Sequence, residues 1–149
     1  HAMVEHGLAL DALVRPLHLP VLLQLCRRHP NLTVVIDHAA KPAIAANQWQ
    51  PWADDLARLA GETGAACKLS GLLTEAGAAP PADAARPWAR HVLACFGAPR
   101  VLWGSDWPVL ELAASYDDWW RETTALLAAL DAGQRSAVLG GTARRVYRL

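Results

Sequence analysis

In VLWGSDWPVL, residues 101–110, a carboxylate stands between a glycine turn and a tryptophan–proline pair. Asp106 either caps a turn or faces a site. The next helical pattern begins near Ser115, too far along for Asp106 to cap it, and Trp107 with Pro108 makes a rigid apolar wall. Such a wall tunes a carboxylate for metal binding or proton transfer. His38 ends a second apolar run, VVIDHAAKP, where an imidazole is either a ligand or proton carrier or a satisfied structural residue. Asp37 and His38 are adjacent, so an extended strand turns them to opposite faces: with His38 toward a mouth, Asp37 faces the helix layer. Lys41, just before Pro42, is a loop cation suited to an anionic substrate, or a solvated lysine. Lys68 and Ser70 share one face of an apolar strand, where a lysine either snorkels to a rim or meets a carboxylate or substrate. Arg15, at the end of LALDALVRP, carries a fork suited to a bidentate carboxylate grip, unless it simply pairs with Asp11 on the same face.

Four short apolar runs must carry these residues: 8–14, 32–37, 66–71 and 100–106. Between them the spacing predicts amphipathic helices through Leu22, Leu25, Cys26 and His29, through Trp52, Leu56 and Leu59, and through Trp88, Val92, Cys95 and Phe96. Ser115 is the expected N-cap of a further helix, with Asp118 three residues on. A short helix near 134–139 is expected to stop at Gly140-Gly141, with Thr142 capping a last turn. Strand–helix alternation implies parallel strands with right-handed crossovers. Helix-to-strand links are short and strand-to-helix links mostly long, and in such folds sites gather on the loops after strand C-termini, where Arg15, His38, Lys41 and Asp106 lie.

The chain has 53% hydrophobic and 19% charged residues, a globular balance, in one expected domain over residues 3–149; the two residues before Met3 read as a tag remnant. Fourteen basic residues balance fourteen acidic ones without a basic run, which argues against nucleic acid as a partner. No apolar run reaches the roughly 18 residues a membrane span needs, and no secretory signal opens the chain. Cys26, Cys67 and Cys95 are odd in number and widely spaced, as reduced core thiols of a cytoplasmic protein would be.

LDALVRP, VIDHAAKP, CKLSGLLTEA, LWGSDWPV and the closing VLGGTARRVYRL occur in this order over nearly the whole chain. Together they resemble the amidohydrolase-related, metal-dependent (β/α)8-barrel hydrolases of the fuconolactonase and rhamnonolactonase type, a pattern shared by pyrone-dicarboxylate hydrolases. The resemblance implies half of a TIM barrel: an α/β fold of four parallel strands with helices outside, equivalent to strands five to eight. It implies hydrolysis of a sugar lactone or similar cyclic ester by activated water. Asp106 then serves as metal ligand or base, His38 as ligand or as the group that polarises the carbonyl, and Arg15, Lys41, Lys68 and Trp107 as substrate-site candidates. The family's strand-one His-x-His pair has no counterpart in these 149 residues, so His38 and Asp106 form an incomplete site for a divalent metal, zinc first, that the chain alone holds weakly or not at all. Two readings follow: a lactone hydrolase represented by half its barrel, with little activity alone, or a non-catalytic half-barrel that self-assembles. Either way the first and fourth strands are open edges and the inner sheet face lacks a lid, which favours a homodimer.

Overall fold

A computed structural model describes residues 1–149. Four strands, β1 (Ala9–Ala12), β2 (Thr33–Ile36), β3 (Ala66–Leu69) and β4 (Val101–Trp103), form one sheet in the order β1-β2-β3-β4. All three pairings are parallel, with Leu10 beside Val34, Ile36 beside Cys67, and Cys67 beside Val101. Sequence order and one direction are what short helical crossovers of a single hand produce. This is the four-stranded half-barrel expected from the alternation.

Helices α2 (Leu19–Arg28), α3 (Trp52–Glu62) and α5 (Arg86–Phe96) cover one face of the sheet. They bury the predicted stripes: Leu19, Leu22, Leu23 and Cys26; Trp52, Leu56 and Leu59; Trp88, Val92 and Phe96. His29 falls just beyond α2 and Cys95 is only partly buried. Val34, Ile36, Cys67, Leu69 and Val101 meet these helices in one core. Helices α1 (Ala2–Glu5) and α4 (Leu72–Glu75) are single turns, and α1 lay outside the sequence expectations. Helix α6 (Tyr116–Leu127) starts as predicted. The Ser115 hydroxyl accepts from the Asp118 N–H at 3.1 Å, and an Asp118 carboxylate oxygen accepts from the Ser115 N–H at 3.2 Å.

The C-terminus bears out one expectation and corrects another. Helix α7 (Ala132–Ser136) continues through a π-helical stretch that breaks at Gly140, whose φ of 175° and ψ of −29° are non-helical, and α8 (Thr142–Tyr147) begins after the glycine pair. Thr142 is the first residue of α8, not its cap, because its hydroxyl donates to the Ala98 carbonyl at 3.1 Å. Fully buried Val138 pins the stretch before the break.

Helix α8 also overturns the open inner face. Val35, Ala66 and Leu102 point away from the helix layer and pack on Ala143, Val146 and Tyr147. Val35 and Leu102 are buried there. The inner face therefore has a floor made by the chain's own last helix. No helix is long and apolar enough to cross a membrane.

Candidate active site

The links that follow the strands are long, 37–51, 70–85 and 104–115, and they carry the polar residues. Strand β2 ends at Ile36. His38, Ala39, Ala40 and Lys41 then all take left-handed backbone angles, with φ of 49°, 50°, 61° and 51°. For residues bearing a Cβ this costs about 1–2 kcal/mol each, so other contacts must hold the turn. Val35 faces the inner side and Ile36 the helices, so alternation carries Asp37 to the inner face, and it is His38 that departs from the alternation, because the left-handed turn keeps it on that same side.

Two polar layers result. In the outer one, His38 Nδ1 lies 2.9 Å from Ser70 Oγ, and His38 Nε2 lies 3.7 Å from Asp106 Oδ1. Ser70 is buried, and the His38 and Asp106 side chains keep 21% and 14% exposure. Asp106 is itself left-handed at φ 60°, and its carbonyl accepts from the Leu110 N–H at 2.9 Å. The backbone thus takes the turn's hydrogen bond, leaving the carboxylate free to face His38.

In the deeper layer Lys68 Nζ lies 2.8 Å from Asp37 Oδ1 and 3.2 Å from Asp11 Oδ1. Asp37 Oδ1 is buried without an aligned hydrogen bond, so the ionic contact is what compensates it. The Tyr147 hydroxyl donates to Asp11, and the ammonium sits 5.6 Å from the Tyr147 ring centre. Burial pulls the Lys68 ammonium toward neutrality; its contacts with the Asp37 carboxylate, the Tyr147 hydroxyl and the Asp11 carboxylate outweigh it and hold the group well above its ordinary value. Asp11 thus pairs with Lys68, not with Arg15.

Arg15 and Lys41 meet elsewhere. With Gln48 and Glu75 they line a cleft of about 390 Å³ rimmed by Pro16, Leu17 and Pro51. Lys41 donates to Glu75 there, while Arg15 has no ionic partner. Trp107 bonds Glu111 through its indole N–H at 2.9 Å and stands 62% exposed, outside both groups. Another cleft, of about 460 Å³, opens at the opposite ends of β2 and β3 and holds none of the candidate residues. Sequence reasoning put Ser70 on the right face but gave it no role, and it missed Glu75, which ends the single-turn helix α4, too short to show a periodic pattern.

A metal fits the His38–Asp106 pair in part. Two ligands on a tetrahedral zinc, each about 2.0–2.1 Å from the ion, stand only a little closer together than these two atoms. A metal-binding imidazole also engages its second nitrogen, as His38 does with Ser70. Nowhere in the chain do three His, Cys, Asp or Glu side chains converge, so the pair offers two ligands and no third.

All of residues 1–149 match one protein family, the amidohydrolases. The chain belongs to the amidohydrolase family. An L-fucono-1,5-lactonase of Burkholderia ambifaria is 46% identical over 99% of this chain and 52% of its own length. A second L-fucono-1,5-lactonase, from Burkholderia multivorans, is 40% identical over 93% of this chain and 51% of its own. This amidohydrolase chain thus spans about half the length of these relatives. Among solved structures, a Burkholderia multivorans amidohydrolase with bound zinc superposes with a TM-score of 0.93 at 36% identity, over 99% of this chain and 55% of that one. A Pseudomonas putida chain assigned as a 2-pyrone-4,6-dicarboxylic acid hydrolase superposes at 0.76 with 28% identity, over 98% of this chain and 54% of that one.

Proposed function

We propose that this chain provides strands five to eight of a lactone-hydrolysing barrel and that its substrate is a sugar lactone of the fuconolactone class. The observation that carries this reading is the convergence of His38, Ser70 and Asp106 at the C-terminal ends of parallel strands in a chain 46% identical to an L-fucono-1,5-lactonase. Asp106 takes the proton of the attacking water and returns it to the ring oxygen as the acyl–oxygen bond breaks, which yields the open hydroxy acid. His38, oriented by Ser70, binds beside the carbonyl. Arg15 and the Lys41–Glu75 pair hold the sugar hydroxyls in their cleft, and Trp107 walls the mouth. Lys68 keeps the layer beneath in register, since two carboxylates already occupy it. The complete barrel uses a divalent metal, zinc first, with His38 and Asp106 among its ligands. When bound, such an ion acidifies water and polarises the carbonyl. The three unpaired thiols, Cys26, Cys67 and Cys95, suit the reducing cytoplasm.

A chimera tests this reading. The 149-residue chain replaces the matching half of the Burkholderia ambifaria lactonase, and turnover of L-fucono-1,5-lactone is followed by acid release. Measurable turnover supports the reading; a folded chimera that binds the lactone and never turns it over rejects it.

A second reading rests on the sheet edges. Strands β1 and β4 each have a single neighbour. Leu13, Leu17 and Val21 are exposed on the β1 side, and Leu112 and Trp120 beyond β4. A two-fold homodimer pairing β1 with the partner copy's β4 covers both edges and closes a ring without filaments.

A further inference from the structure

The left-handed turn that presents His38 is held by groups outside it. The carbonyl of Ala39, a residue that is itself wholly buried, accepts from the Trp52 indole N–H at 2.7 Å, the side chain rising from the first residue of α3. Trp52 is 1% exposed and packs on Trp88 with ring centres 4.9 Å apart, so its donor is fixed by the helix layer. The turn also closes on itself, Lys41 N–H donating to the His38 carbonyl at 2.8 Å, and Lys41 and Asp37 are anchored by Glu75 and Lys68.

The far side of the ring is shaped by an absence of atoms. A Cβ on Gly71 would lie 2.7 Å from His38 Nδ1 and 2.8 Å from Cγ, and the glycine has φ +67°. Any side chain at 71 would occupy the space of the imidazole, so this glycine serves both a left-handed turn and a close approach.

We infer that Trp52 and Gly71 are positioning residues for His38: the indole of Trp52 clamps the strained turn from the helix side, and the bare Gly71 leaves the slot in which the imidazole meets Ser70 and Asp106. Neither touches the place where substrate would sit, and both act through the histidine. The inference deepens the hydrolase reading and rests on it for its consequence to turnover. Its geometry is read without any assay of activity, so the two fail separately.

The test uses the 149-residue chain in solution by NMR. In the unaltered protein the Trp52 indole proton should exchange with solvent as slowly as core amides of β2, and His38 ring protons should show through-space contacts to the Ser70 β-protons. Trp52→Phe keeps an aromatic ring and removes only the donor, and should weaken the His38–Ser70 contacts several-fold. Gly71→Ala should abolish them. Thr142→Val removes a buried hydrogen bond far from the turn and serves as the control, lowering stability with the His38 contacts intact. A fast-exchanging Trp52 indole in the unaltered chain overturns the inference, and this reading stands even where a variant does not fold. So do undiminished His38–Ser70 contacts in Trp52→Phe, or equal losses in Thr142→Val.

Discussion

Asp106→Asn in the chimeric barrel preserves size and removes the base, so turnover should fall by about 100-fold or more, read as kcat with the lactone saturating. Near-normal kcat would remove Asp106 from the chemistry. Lys68→Met asks a different question, because it leaves Asp11 and Asp37 facing each other without their cation. Partial exposure of Lys68 and Asp11 screens the cost to about 1–3 kcal/mol, measured by urea unfolding. The pH dependence has a definite sign. The Lys68 ammonium is held above its ordinary value in the folded chain, so its contribution is complete below the unfolded value of about 10.4 and disappears as pH rises through the higher folded value. Stability should therefore drop more steeply above pH ~10.4 in the unaltered chain than in Lys68→Met. Asp106 and His38 were readable as candidates because each interrupts an apolar run at its end. The direction of Asp37 was misread because it was counted from His38: Asp37 keeps the phase of Val35, while His38 leaves it where the backbone turns left-handed. Trp52 reads as an ordinary core residue of an amphipathic helix, and nothing in its spacing announces that its indole serves a loop.

Among the elements, α6 offers the plainest check. Ser115→Ala removes one half of the reciprocal cap and should cost about 1 kcal/mol of stability. The Ser115 hydroxyl and N–H hold the Asp118 carboxyl below its ordinary value, so the cap contributes above about pH 3.9 and fades as pH falls through the lower folded value. The difference between Ser115→Ala and the unaltered chain should accordingly narrow below pH ~4; a constant difference down to pH 2.5 would mean that the carboxylate plays no part. The three sheet-covering helices were legible because each buries residues three and four apart, and the strands because short β-branched or apolar runs stand between turn signals. The break between α7 and α8 was legible from the glycine pair, but the role of Thr142 was not, because the Ala98 carbonyl that takes its hydroxyl lies far away in sequence.

For the whole molecule, two outcomes are expected of the 149-residue chain. It should hydrolyse lactones poorly, since His38 and Asp106 are fewer than the three or four ligands a zinc site uses; brisk hydrolysis by pure chain would contradict this. Light scattering at micromolar concentration should give twice the 16.1 kDa chain mass, and Leu17→Asp should shift it toward a single chain. The half-barrel architecture was open to reading from alternation and loop lengths, whereas its floor was not, because the sequence around Ala143 to Tyr147 resembles any short terminal helix. That floor has a further bearing on how the chain folds. Tyr147 meets Asp11 across 136 positions of sequence, while each strand pairs with its immediate successor. The sheet can thus assemble progressively from local units, yet its inner side closes only once α8 has docked. Until then Val35, Ala66 and Leu102 face water, and a chaperone that recognises apolar surface has its opening in that interval.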